Sequence, residues 1–386
     1  MKDKNRLLRR GKKQGKNKRG KANGSSRSLD HQATGTSDHP IKRSPDHPIS
    51  GIACGGIWVV DLVKVIDHYP PENSIAYITE ISRGGGGLGH NVVIDLAKFD
   101  ANLPLYALGL IGNDPYGDYL VERCRRFPNI NIDQLRRTDL DATSYTDVFS
   151  IRASGRRTYF HYPGTNRLFQ PAHVDLASLP VKMFHLGYLL LMDAMDQPDA
   201  EFGTVAARFL AQLQARNIRT SIDLVSEDST RFEHIVPPAL QHTDYCIIND
   251  WEAEKLTGIP LRAAGKLLPE NLRKIGATIL GFGVKDLAVI HFPEGGYLLS
   301  RDGVEILQPS LELSDDFIVG SSGAGDAFCA GVLYGLYQGW DHARTLRFAN
   351  CAGGMNLNDL TTTGGCRSWQ EVLQMEEKFP YRKSFI

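Results

Sequence analysis

From residue 51 onward the chain repeats one alternation: a short apolar, β-rich run, then a stretch whose apolar residues recur every three or four positions. The runs at 52–60, 105–111, 183–186, 220–223, 245–248 and 287–291 predict strands. The stretches at 90–99, 118–126, 201–216, 252–256, 270–280, 327–337 and 342–356 predict helices. This spacing signals parallel βαβ units, so the expected fold class is α/β: a doubly wound, mostly parallel sheet flanked by helices. Two regions break the rhythm. Short strands at 62–67 and 75–81 surround a Pro70-Pro71 turn, and runs at 143–152 and 157–162 flank Ser154-Gly155 as a hairpin. These strands, at about 62–83 and 143–162, predict a small β-lid over the carboxyl edge of the sheet.

Residues 1–50 lack the pattern. The first 28 hold 12 basic groups against Asp3, no aromatic residue, and only Leu7-Leu8 as an apolar pair. Such a segment buries too little surface to offset its chain entropy. The expected organisation is therefore a disordered basic tail and linker at 1–50 and a folded domain at 51–386. The formal net charge of zero conceals +10 on residues 1–50 and −10 on the rest. A non-specific contact with RNA or another polyanion is the role the tail's composition suggests. No apolar run is long enough to span a bilayer, and the N-terminus lacks the apolar core of a secretory signal. Six widely spaced cysteines without CxxC pairs read as reduced, buried thiols in a cytoplasmic protein.

The candidate chemistry centres on residues 320–328, Gly-Ser-Ser-Gly-Ala-Gly-Asp-Ala-Phe, which open a strongly helical stretch. Free amides of Gly323, Ala324 and Gly325 at a helix N-terminus would form an anion hole. Asp326 would face the same point, placed to take a proton from a hydroxyl attacking a phosphate; a simple helix cap is the plainer alternative. Asp61 follows the first predicted strand, where open α/β sheets bind ligands. The glycine run 84–89, with Gly86 and Gly87, suits close backbone approach to a polar ligand, and Asn91 opens the next helix. Asn249 and Glu252 directly follow an apolar strand. They suit a hard cation that keeps its waters, and a helix-start capping pair reads equally well. Asn166, after Pro163-Gly164, is either a polar contact near the lid or a turn residue. His90 reads as a helix-start residue and not as a catalyst.

The segment 320–326 resembles the second signature of the ribokinase-like (PfkB-type) carbohydrate kinase family, and Gly86-Gly87-Leu88-Gly89-His90-Asn91 is similar to its first glycine motif. The resemblance runs in order from about residue 51 to the end. Gly112, Asp114 and Gly117 fit the family's G-x-D-x-x-G turn, and Asn249-Asp250-Trp251-Glu252 fits its N-x-x-E motif. The resemblance implies a magnesium- and ATP-dependent kinase that transfers the γ-phosphate to a hydroxymethyl group of a sugar or nucleoside. It implies acceptor contacts from Asp61, Gly86, Gly87, Asn91 and Asn166, and nucleotide contacts from Asn249, Gly296 and Asn350. Glu252 would hold Mg²⁺ through water, and the lid would pair two subunits into a homodimer. Three departures accompany the matches. Gly320 stands where the family carries the Asp or Glu that helps organise a monovalent-cation site, so dependence on such a cation is not implied. His291-Phe292-Pro293-Glu294-Gly295-Gly296 replaces T-x-G-x-x-G beside the nucleotide. Leu88 stands where ribokinases carry Lys, which argues against an anionic sugar. These departures suggest a second reading, a catalytically impaired, kinase-derived sugar-binding or regulatory protein.

Overall fold

In chain order the strands begin with β1 (Ile52–Gly56), β2 (Val59–Ile66), β3 (Ile78–Gly86), β4 (Leu105–Gly112), β5 (Ile130–Thr138), β6 (Tyr145–Ile151), β7 (Arg157–Tyr162) and β8 (Met183–Leu189). Two-residue strands β9 (Pro198–Asp199) and β10 (Gly203–Thr204) form a short hairpin, followed by β11 (Arg219–Leu224) and β12 (Tyr245–Asn249). A second short hairpin, β13 (Arg262–Ala263) and β14 (Lys266–Leu267), precedes β15 (Leu287–Phe292), β16 (Gly295–Ser300) and β17 (Glu305–Pro309). The main helices are α1 (Leu88–Phe99), α2 (Pro115–Arg125), α3 (Val205–Gln214), α4 (Phe232–Leu240), α5 (Asp250–Thr257), α6 (Leu272–Gly281), α7 (Ala324–Tyr337) and α8 (His342–Asn356). This computed structural model describes residues 49–151, 157–227 and 229–383. The expected disordered tail and the tip of the lid hairpin lie outside the described residues.

Nine strands make one sheet in the order β17-β16-β15-β12-β11-β8-β1-β4-β5. From β15 to β5 every neighbour is parallel, and β16 and β17 add an antiparallel edge. Both faces are covered, which is why the central strands are apolar throughout. Successive residues go to opposite faces. Ile52, Cys54, Ile247 and Val289 meet α1, α2, α7 and α8, whereas Ala53, Ile248 and Ile290 meet α3, α4, α5 and α6. All six cysteines are free and buried.

The lid is a separate four-stranded sheet, β3-β2-β6-β7, with β2 and β6 parallel and the other pairs antiparallel. Here the structure corrects the expected boundaries. The first strand does not run to residue 60 but stops at Gly56, whose φ of +121° breaks the extended run. A Cβ at Gly56 would fall 1.7 Å from the carbonyl oxygen of Gly187. Val59 and Val60 therefore belong to the lid, and Asp61 lies inside a lid strand, not at the end of β1. Gly84–Gly86 is likewise strand and not turn, paired with Asp61, Val60 and Val59. Pattern reading also missed β5, whose exposed edge alternates with charged residues, and α4, which contains Pro237 and Pro238.

Candidate active site

The crevice opens where the strand order reverses. From β1 the chain passes through the lid and α1 to β4 on one side, and later returns to β8 on the other. The carboxyl ends of β1 and β8 meet there, with Gly56 level with Gly187, at the kind of switch point where open α/β sheets bind ligands.

The loop entering α7 sits over this point. Gly323 is its N-cap with φ 78°, and a Cβ there would fall 1.8 Å from the carbonyl oxygen of Thr362. Both the left-handed backbone and the close approach exclude a side chain. The next three residues, Ala324, Gly325 and Asp326, form the first turn, whose amides have no partner within the helix. Asp326 is buried. Its Oδ2 accepts from Asn91 Nδ2 at 2.6 Å and its Oδ1 accepts from Tyr188 Oη at 2.9 Å. Burial pushes this carboxyl above the usual carboxylate range, and the two hydrogen bonds pull the other way.

Asn91 is itself held by a chain of contacts. Burial and the nearby Arg123 charge push His90 down to about 3, so its ring is neutral. Arg123 Nε donates to His90 Nε2 at 3.1 Å, which leaves the proton on Nδ1 to donate to Asn91 Oδ1 at 2.8 Å. Thr362 Oγ1 lies 3.1 Å from the same Oδ1. With its oxygen engaged in this way, the Asn91 amide must aim its NH₂ at Asp326.

On the lid side, Asp61 lies against Gly86, where a Cβ would fall 2.2 Å from Asp61 Oδ2. Among the described residues its carboxylate has no hydrogen-bond partner, and it lines a small cavity with Gly84, Arg157, Ser322 and Thr361. Burial, and secondly the charge of Asp326, push it up to about 7. On the opposite side of the α7 loop a cleft of about 550 Å³ is bounded by Asn249, Trp251, His291, Gly325, Asn350 and Arg382. A small cavity with a free carboxylate and a larger, partly aromatic cleft thus flank one buried carboxyl group and one row of open amides.

Over residues 51–368 the chain matches the family described as pfkB family carbohydrate kinase. The chain belongs to this kinase family. It is 23% identical over 316 residues to the aminoimidazole riboside kinase of Salmonella typhimurium, covering 78% of this chain and 89% of that one. It is 20% identical over 332 residues to the nucleoside kinase of Methanocaldococcus jannaschii, covering 85% and 97%. Among solved structures, Arabidopsis thaliana ribokinase complexed with ribose and ATP superposes with a TM-score of 0.69. That match covers 84% of this chain and 98% of the other at 20% identity, which is a likeness of fold.

Within this pfkB-family chain the structure brings Asp326, Gly323, Ala324, Gly325, Asp61, Gly86, Gly87 and Asn91 together, and sets Asn249 and Asn350 on the larger cleft. Gly87, at φ +82°, caps α1 where a Cβ would fall 2.6 Å from Ile57 O. Asn249 and Glu252 do form a reciprocal capping box at the start of α5. Glu252 also accepts from Ser226 Oγ at 2.9 Å, and burial pushes it up to about 7.

Three residues named in the sequence stand apart from both cavities. Asn166 is fully buried away from the cavities: it accepts from Trp58 N at 3.0 Å and donates to Trp58 O at 3.1 Å, bracing the link between β1 and β2. Gly296 does not line the larger cleft. It makes room for α7 and α8, since a Cβ would fall 2.9 Å from Phe328 and 3.1 Å from Leu346. Leu88 points into the core against Gly187, so it says nothing about the charge of an acceptor. Pattern reading missed Tyr188, Arg157, Thr362 and Asp223. Tyr188 and Asp223 lie near the carboxyl ends of β8 and β11, the same strand-end signal that singled out Asp61.

Proposed function

We propose that the chain transfers the γ-phosphoryl group of ATP to a hydroxymethyl group of a sugar or nucleoside. The observation that carries this reading is Asp326, fixed by Asn91 and Tyr188 in the first turn of a helix whose amides are open, between the two cavities. In this reading Asp61, with Gly86 and Gly87 beside it, orients the acceptor. Asp326 accepts the hydroxyl proton as the acceptor oxygen forms its bond to phosphorus, and the bond from phosphorus to the bridging oxygen of ADP breaks. The amides of Gly323, Ala324 and Gly325 take up charge on the transferring group. Asn249 and Asn350 contact the nucleotide, and the lid excludes water.

The residues present also fit a magnesium ion. Asp223, near the end of β11, and Glu252, in the first turn of α5 just after the neighbouring β12, are buried, and each is pushed up by burial, with Glu252 adding its charge to Asp223. A hard cation would reverse that penalty. No group of three or more metal-ligating side chains stands together among the described residues, so the ion would be held largely through water and phosphate oxygens. When bound it would supply charge neutralisation along the phosphates.

The six free, buried cysteines suit a reducing compartment such as the cytoplasm. No described helix is long and apolar enough to cross a membrane. Exposed Ile78, Ile81, Tyr159 and Phe160 on the lid favour a homodimer through that sheet, which sedimentation would detect. For the basic tail we retain the polyanion contact, which predicts RNA affinity that falls with salt and disappears on removing residues 1–50. The test of the main reading is ADP release from Mg-ATP over a panel of pentoses, hexoses, keto-sugars and nucleosides. Acceptor-dependent turnover supports it. Sugar binding without any turnover would favour the second reading, a non-catalytic binding or regulatory protein, to which Gly320 and His291 point.

A further inference from the structure

His90 has a larger part than a place at the start of a helix. It lies fully buried in the first turn of α1, and its ring is fixed on three sides. The Trp58 ring meets it edge to face, with centroids 5.7 Å apart, and a Cβ at Gly85 would fall 2.2 Å from its Cε1. Arg123 of α2 closes the third side. Its Nε donates to His90 Nε2 at 3.1 Å, and its Nη2 donates to Thr363 Oγ1 at 3.1 Å.

An asparagine amide fits its surroundings in two ways, with oxygen and nitrogen exchanged. In the orientation present, Asn91 Oδ1 faces His90 Nδ1 and Nδ2 donates to Asp326 Oδ2. Turned end for end, the amide would present its oxygen to Asp326 and its NH₂ to His90 and Thr362. Thr362 would accept it, because its hydroxyl proton is already shared with Gly85 O at 2.5 Å. A protonated Asp326 would suit that arrangement too, since it could donate to the oxygen. What opposes it is His90. With Nε2 taken by a guanidinium that can only donate, the ring proton stays on Nδ1 and cannot face an NH₂. Burial, Asn91 and Tyr188 set the Asp326 titration, so Arg123 reaches it through this relay. The charged groups facing His90 are Arg123 and Lys98. Asp61 of β2, Asp95 of α1 and Asp223 of β11 face Asp326, as do the Tyr188 hydroxyl and the Cys329 thiol.

We propose that Arg123, acting through His90, is a positioning residue: it locks the Asn91 NH₂ toward Asp326 and so keeps that carboxylate ionised and ready to take the acceptor's proton. The inference rests on the kinase reading above for the use of Asp326. It adds a fixed relay that reaches the base from the side away from both cavities. The lock itself exists with or without turnover.

The test uses the full chain and four variants, with melting curves to confirm that each folds. Arg123→Met removes the guanidinium and keeps the stem, whereas His90→Leu removes both ring nitrogens and leaves the guanidinium in place. Arg123→Lys keeps a donor for Nε2, and the carboxamide of His90→Gln can accept from Arg123 while donating to Asn91. Arg123 is half-buried at the outer end of the relay, so its variants decide if a change at His90 prevents folding. Protonation of Asp326 is read without turnover from its carboxyl ¹³C resonance in aspartate-labelled protein, assigned by its absence from Asp326→Asn. The midpoint is expected to rise by about one pH unit in Arg123→Met and His90→Leu, as for loss of a hydrogen bond to a charged group. In Arg123→Lys and His90→Gln it stays within about 0.3 units of wild type. With an acceptor from the panel, the acid limb of kcat/KM moves in the same order: activity is about 10-fold lower below the limb and recovers above it. A midpoint that stays or falls in a folded Arg123→Met or His90→Leu, or one that rises equally in His90→Gln, would overturn the proposal and leave both residues as packing. The expected midpoints in a chain that turns over no acceptor would support the lock and overturn the kinase reading.

Discussion

Replacing Tyr188 by Phe removes one hydroxyl and leaves the ring, which isolates what that hydroxyl does for Asp326. The hydroxyl donates to Oδ1 at 2.9 Å, and burial pushes the tyrosine's own ionisation well up, so it remains a donor at any working pH. A hydrogen bond to a charged group contributes about 1.5–3 kcal/mol, and each 1.36 kcal/mol corresponds to one pH unit of titration. Asp326 is already raised by burial, so losing a donor raises it further. A base must be ionised to accept a proton, so activity is lost as pH falls through its titration. The acid limb of kcat/KM should therefore move to higher pH by about one to two units in the variant, with the rate recovering above the limb. The assay is coupled ADP release from pH 5 to 9 with an acceptor from the panel. A limb that stays in place while the whole profile drops evenly, or one that moves to lower pH, would refute the reasoning.

Asp326→Asn keeps the shape and both neighbours but cannot take a proton, so kcat should fall by about 10²–10⁴ with little change in nucleotide affinity; turnover near wild type would remove Asp326 from the mechanism. Gly323→Ala places a Cβ 1.8 Å from Thr362 O at positive φ, and should lose at least about 1–3 kcal/mol from backbone strain alone, measured as a lower Tm; an unchanged melting curve would show that the loop has room. Asp61 is raised to about 7, so its ionisation costs more in the folded chain than in the unfolded one, and its contribution to stability falls as pH rises from about 4 to 7. Asp61→Asn removes that part of the decline, so the variant should gain Tm relative to wild type at pH 7.5 compared with pH 4.5; parallel curves would count against it.

The body of the fold was legible because strands covered on both faces read as unbroken apolar runs, as in residues 287–290. Asp326 and the glycines before it stand out for a local reason as well, a row of small residues at a helix start, where a simple cap would leave the same pattern. The contacts that hold Asp326 and Asn91 were not legible. His90, Arg123, Tyr188 and Thr362 come from four separate segments, and the Thr362 contact to Asn91 spans 271 residues of chain. No periodicity records such a meeting. Asn166 was legible only in part: an asparagine after Pro-Gly reads as a turn residue or a ligand contact, it does lie in the short helical turn Gly164–Leu168, and only the packed structure shows both ends of its amide spent on Trp58.

The brace at Trp58 also decides how the lid can move. Trp58 Nε1 donates to Leu108 O at 2.8 Å, Asn166 clamps its backbone, and Gly87 closes against Ile57, so both strands entering the lid are anchored in the body at their roots. The lid is then a lever with its fulcrum beside Val59 and Gly86. Asp61 lies two residues from that fulcrum, whereas Arg157 pairs through Ser150 with Val65, about 13 Å farther along β2. A small rotation that barely displaces Asp61 swings the root of Arg157 through a much longer arc. The part of the lid that carries Asp61 stays nearly fixed while its far end travels.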